Sequence, residues 1–110
     1  LISISPKDFS FIAEDNLSEI FEHFSKNGLK INLMQNSAIS FSVCADNHKS
    51  RINKILNALS DSYSIKYNEG LELLTIRHYN DETIQQLIAN KEVLVEQKSR
   101  HTARFVMKID

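Results

Sequence analysis

Four histidines, one cysteine and a scatter of carboxylates and amides are the residues of this chain with chemistry to offer. His23, His48, His78 and His101 show no metal-ligand spacing with one another or with Cys44. His23 falls on the polar face of one helical stretch and His48 in the first turn of another, where solvation explains both. His101 follows Arg100 in a polar connection and reads as structural or interfacial. Cys44 has no His or Lys beside it in sequence to lower its pKa, so a small half-buried filler explains it better than a reactive thiol. A single cysteine closes no internal disulfide, which fits a reducing, cytoplasmic setting. The only two glycines, Gly28 and Gly70, are too far apart to build a phosphate loop. With no metal cluster, no phosphate loop and no nucleophile–base pair, the chain reads as a binding module with no catalytic residues.

Two polar stretches have the types that hold a small polar ligand. Asp15-Asn16 opens a helical stretch, and the free N–H groups of a helix start attract a carboxylate. Gln35-Asn36-Ser37 lies between two alternating segments, with Asn32 just before it. A helix N-terminus plus acidic and amide side chains suits an amino acid, which carries both a carboxylate and an ammonium. Capping by Asn16 and turning by Gln35–Ser37 explain the same residues without a ligand. Capping likewise explains Asp15, and Glu69 falls at a turn.

These residues need elements to position them. In Lys30–Val43, Leu29, Ile31 and Leu33 alternate with Lys30, Asn32 and Met34, and Ile39, Phe41 and Val43 alternate with small residues. That period predicts two half-buried strands joined at Gln35–Ser37. Leu1–Ser5 is a short strand with Ile2 and Ile4 on one side, interrupted at Pro6, and Phe9, Phe11 and Ala13 continue as an extended segment. Asn16 is the expected N-cap of a helix over 17–27, with Glu19 completing a capping box. Leu17, Ile20, Phe21 and Phe24 form its apolar stripe, and Asn27-Gly28 ends it. Asp46-Asn47 caps a second helix striped by Ile52, Ile55, Leu56 and Leu59. Tyr63, Ile65 and Tyr67 then mark a strand that ends at the turn Asn68-Glu69-Gly70.

Residues 1–70 therefore read strand, helix, strand, strand, helix, strand: the α+β, ferredoxin-like plan. The order then restarts. Leu71–Arg77 is a strand apolar on both faces, Asn80-Asp81-Glu82 opens a helix with Ile84, Leu87 and Ile88 inward, and Val93–Glu96 and Ala103–Lys108 are two more strands. Gln97-Lys98-Ser99 echoes Gln35-Asn36-Ser37. The second unit stops short of a last helix and strand and needs other surface to lean on.

The 110 residues suit one ordinary domain or two very small ones, and the 42% apolar content supports a core. A net charge of −1 supplies no field for nucleic acid or acidic membrane. The aromatics Phe41, Tyr63 and Tyr67 share the apolar phase of their strands, which argues further against an RNA-binding sheet of the same plan. No run of 18 apolar residues spans a membrane. The start at Leu1, without methionine and already strand-like, reads as a fragment whose remainder lies upstream.

Asn16–Phe21 followed by Leu29–Val43 resembles the tandem ACT domains at the C-terminus of aspartate kinases, and Tyr67–Leu73 looks like the passage from the first ACT unit into the second. The resemblance implies residues 1–70 as a first ACT unit and 71–110 as a second, partial one. It implies a kinase domain upstream that phosphorylates aspartate, so ATP and Mg would belong there and no cofactor to this chain. It implies a homodimer through ACT units and an end-product amino acid, threonine or lysine, as inhibitor. The implied effector contacts are Ser10, Asp15, Asn16 and Leu17, then Ile31 and Asn32, then Gln35, Asn36 and Ser37. Two departures bear on them. Glu14-Asp15-Asn16 stands where the family usually has a glycine, and Asn32 where lysine-sensitive members often have aspartate. An amide gives a lysine ammonium no ionic partner; Asp15 or Glu14 would have to supply one. A dimerisation module that has lost its ligand is the alternative.

Overall fold

Alternation places Ile2 and Ile4 on one face of the first strand, β1 (Ile2–Pro6), where both are essentially fully buried. The structure is a computed structural model that describes residues 1–8 and 11–109. The extended segment expected through Phe9 and Ser10 lies in part outside the described residues. Pro6 sits at the last position of its strand, where its missing N–H costs no interior ladder bond.

The first helix, α1, runs Glu14–Lys26 and buries Ile20 and Phe24, with Leu17 packed against the same core. It begins three residues earlier than expected, at Glu14 in place of Leu17. Ala13 is the N-cap, and Asn16, in the first turn, folds its side chain back so that Oδ1 accepts the Ala13 N–H at 3.0 Å. Alanine has no oxygen to return the bond, so this is half a capping box. Glu14 and Asp15 suit the first turn because their charge opposes the helix dipole. Phe21, expected inward, stays 36% exposed at the margin of the stripe with its ring edge-on to Phe41. At the other end the Gly28 N–H donates to Ser25 and the Leu29 N–H to Phe24. With Gly28 at φ +64 and Leu29 and Phe24 both in the core, this is a Schellman termination.

Strands β2 (Ile31–Asn36) and β3 (Phe41–Ala45) form the hairpin, α2 spans Lys49–Leu59, and β4 spans Tyr63–Tyr67. The sheet order is β2-β3-β1-β4 with every neighbouring pair antiparallel, so α1 and α2 bury their stripes on one face. This is the ferredoxin-like arrangement read from the element order. The core joins Ile2, Ile4, Phe41, Val43 and Tyr63 of the sheet to Ile20, Phe24, Ile52, Ile55 and Leu59 of the helices.

One correction concerns the hairpin. Ile31 lies opposite Ala45 but Leu33 lies opposite Cys44, so Asn32 is the extra residue of a β-bulge. A bulge shifts the alternation by one. Ile31 packs toward the helices, whereas Leu33 and Gln35 fall on the Cys44 and Ser42 side and Met34 and Asn36 on the Val43 and Phe41 side. The expected common face of Leu29, Ile31 and Leu33 is therefore broken at Asn32. Gln35 and Asn36 also remain in β2, so the connection is residues 37–40, starting two residues later than expected.

The chain divides into two compact units, Leu1–Glu69 and Gly70–Asp110. The second contains β5 (Leu71–Arg77), α3 (Asp81–Ile88), β6 (Val93–Lys98) and β7 (Thr102–Lys108), in the sheet order β5-β7-β6. Ile76, Ala103, Phe105 and Met107 pack with Ile84 of α3. Leu87, expected inward, is 46% exposed. Val93 pairs with Met107 and Val95 with Val106, so β6 carries the same bulge at Leu94. One constant shift in residue number carries Ile31, Ser37, Ser40 and Ala45 onto Val93, Ser99, Thr102 and Met107, and the Ser37 N–H bond to the Ser40 carbonyl recurs from Ser99 to Thr102. Among the described residues no helix is long and apolar enough to cross a membrane.

Candidate functional site

The end of β1, the start of β3 and the start of β4 meet at one end of the first sheet, since Ile4 pairs with Phe41 and Pro6 with Tyr63. The hairpin connection and the start of α1 belong to this same end. The Ile12 N–H donates to the Ala38 carbonyl at 2.8 Å and ties the segment before α1 to the hairpin. Most of the expected residues gather here. Asp15 lies exposed in the first turn of α1, and Gln35 and Asn36 are exposed at the end of β2. Leu17 turns inward to the core. Ser37 holds the connection itself: its hydroxyl accepts the Ser40 N–H at 3.1 Å and lies 3.0 Å from the Ser40 hydroxyl.

Asn16 is occupied twice. Besides accepting the Ala13 N–H, it donates from Nδ2 to the Tyr63 hydroxyl at 3.0 Å, and that hydroxyl donates to Glu19 Oε2 at 3.1 Å. Tyr63 is only 3% exposed. A buried phenol needs a polar partner, and the start of α1 supplies two. Burial raises the Tyr63 pKa above the ordinary phenol value, with the Glu19 carboxylate adding to the rise and the Asn16 amide opposing it. Sequence reading placed Tyr63 in the core and missed this polar role. Its signal was a tyrosine, in place of phenylalanine, at an apolar-phase position.

Ile31 and Asn32 lie at the opposite end of β2, beside the end of β3. Ile31 packs against the core. Asn32 donates from Nδ2 to Asp46 Oδ1 at 2.9 Å, and close by in sequence the Tyr67 hydroxyl donates to Asn47 Oδ1 at 2.9 Å. Asp46 and Asn47, expected to cap α2, are thus drawn to β2 and β4, and His48 is the N-cap of α2, with no side-chain capping bond. The expected site residues divide between the two ends of the strand, and Ser10 lies outside the described residues. Asp46 was missed, because only the fold brings it against Asn32. Among the described residues no three His, Cys, Asp or Glu side chains gather as a metal site.

The two helix starts differ. In α3 the Asn80 side chain accepts the Thr83 N–H at 2.7 Å, the ordinary capping bond. In α1 the N-cap is an alanine, which brings no side-chain oxygen to the first-turn N–H groups. A helix start whose N-cap side chain makes no bond favours an anion there. In the second unit the Tyr79 hydroxyl also donates to the Ser99 carbonyl at the tip of the second hairpin.

No protein-family model matches the sequence, and no curated protein matches it. Solved structures do. The chain is similar to aspartokinase III of E. coli in complex with lysine and aspartate, in the T-state, with a TM-score of 0.74 over 96% of this chain at 14% identity. It is similar to the regulatory subunit of aspartate kinase from Thermus thermophilus, in a ligand-free form, with a TM-score of 0.66 over 97% of this chain at 6% identity. The fold is one shared with aspartokinase III and with a regulatory subunit of aspartate kinase. The R-state of aspartokinase III with aspartate and ADP gives the same TM-score, 0.74, at 13% identity. The chain spans about a quarter of the E. coli enzyme's length, 26%, and 80% of the Thermus thermophilus subunit's. At these identities it is the fold that is shared.

Proposed function

We propose that this chain is the ACT-type regulatory region of an aspartate kinase, and that its first unit binds an end-product amino acid, threonine or lysine, for feedback inhibition. The observation that carries this reading is the fold match along nearly the whole chain to aspartokinase III and to an aspartate kinase regulatory subunit. In this reading the catalytic domain precedes Leu1 and takes ATP and Mg, the regulatory regions pair as a homodimer, and the enzyme works in the cytoplasm.

The effector's carboxylate would take the uncapped start of α1, where aligned N–H groups favour a negative group. Asp15 and Gln35 to Ser37 border that position, and Asp15 offers the ammonium a charge. The corresponding helix start in the second unit is closed by Asn80, which favours one effector per chain, in the first unit. Asn32 tunes preference from the other end of β2, with Asp46 bringing a carboxylate to the amide.

A ligand-free dimerisation module remains the second reading, favoured by the internal bonds that already occupy Asn16, Asn32 and Ser37. Thermal melting separates the two. Millimolar threonine or lysine should raise the melting temperature, since ligand at a hundredfold its Kd adds about 2.7 kcal/mol. Sedimentation showing an unchanged dimer, with no melting shift for either amino acid, selects the structural module.

A further inference from the structure

We propose that His78 and His101 form a bidentate site for a divalent transition-metal ion at the end of the second sheet. The β5–β7 register ends with Arg77 opposite Thr102, so the next facing pair is His78 and His101. The His78 N–H donates to the His101 carbonyl and extends the ladder by that pair. The two imidazole rings stand 5.9 Å apart, centroid to centroid, tilted by 50°. Two imidazoles on one tetrahedral ion, each with a metal–nitrogen bond of about 2.0–2.1 Å, place their centroids roughly 5 Å apart. The observed spacing is roughly 1 Å longer, a gap that side-chain rotation of the two exposed rings closes on an ion.

Neither ring is needed by the core, since both residues are exposed. His78 holds a left-handed backbone at φ +54, set by the two-residue link between β5 and the cap of α3. Non-glycine residues in that conformation recur at ligand clamps. Imidazole nitrogen suits Zn2+, Ni2+ and Cu2+, and the last of these would bind most tightly. Arg77 and Arg100 flank the pair in sequence and disfavour a cation, which sets the site toward ions that form strong bonds to nitrogen and away from Mg2+ or Ca2+. Water would fill the remaining coordination positions. The site is independent of the amino-acid site in the first unit.

The test is calorimetric titration of the whole chain with NiCl2 and with ZnCl2 after chelator treatment. One saturable ion per chain is expected, lost in His78→Asn and in His101→Asn, and kept when His23 and His48 are both changed to Asn. Asparagine at position 78 tolerates the left-handed backbone, so the fold is retained. Imidazole proton resonances of His78 and His101 should shift together at one equivalent of Zn2+. No saturable binding, or binding that survives both single variants, overturns the proposal.

Discussion

Tyr63 is the residue on which the start of α1 rests. Its hydroxyl joins Asn16 to Glu19, and Asn16 in turn holds the Ala13 N–H. Tyr63→Phe keeps the ring in the core but leaves both partners without the hydroxyl. Urea unfolding should show a loss of about 1–2 kcal/mol with an unchanged m-value. The pH dependence has a definite sign. Burial raises the Tyr63 pKa, so the folded state holds its proton more tightly than the unfolded chain. That contribution is complete below the unfolded phenol value, about 10, and fades as pH rises through the folded value. Tyr67 shifts the same way, by burial first and the Glu69 carboxylate second. Melting temperature should therefore fall above about pH 10, and less steeply in the Tyr63→Phe variant. The residue scale was the least legible in the sequence. Asn16 was read as a cap from its type, but acts from the first turn because Glu14 and Asp15 extend the helix before it. Asp46 was read as a cap too, and only the bulge at Asn32 explains its capture by β2.

The elements were more legible, because they rest on periodicity and on stop signals. The α1 stripe, its end at Gly28 and the inward phase of Tyr63, Ile65 and Tyr67 were all readable. A bulge leaves no such trace: one inserted residue in β2 looks like continued alternation until the partner strand is placed. Two substitutions probe the ends of α1. Gly28→Ala should cost about 1–2 kcal/mol, since the left-handed backbone is disfavoured for any residue with a Cβ. Space is not the reason, because the added Cβ would meet the Arg51 side chain at an ordinary 3.6 Å. Ala13→Asp should do the opposite. At φ −115 and ψ 174, position 13 already has the extended backbone of an N-cap, so an aspartate there can cap the helix and add about 1 kcal/mol. In the proposed effector site that same carboxylate competes with the ligand's. The variant should melt higher alone and gain less from added amino acid. A stabilised variant whose response to amino acid is undiminished would remove the start of α1 from the site.

At the scale of the molecule, the duplicated order of elements was legible, and the shared bulge and hairpin bond make the two units structural counterparts. They are unequal in completeness. The first sheet has a strand on each side of β1, whereas among the described residues β5 has a neighbour on one side only. Hydrogen exchange should follow that inequality. Amides of β1 and β3 should be the slowest, and those of β5 that point away from β7 among the fastest within strands. Uniform protection across both sheets would contradict it. The fold match supports the proposed regulatory reading, in which the start of α1 beside the hairpin tip takes the effector. Isothermal calorimetry of the whole chain against lysine and against threonine tests that claim most directly. The account predicts saturable binding of at least one of them, at about one per chain, by linkage with the melting shift. A correctly folded chain that shows no saturable heat with either amino acid would contradict it.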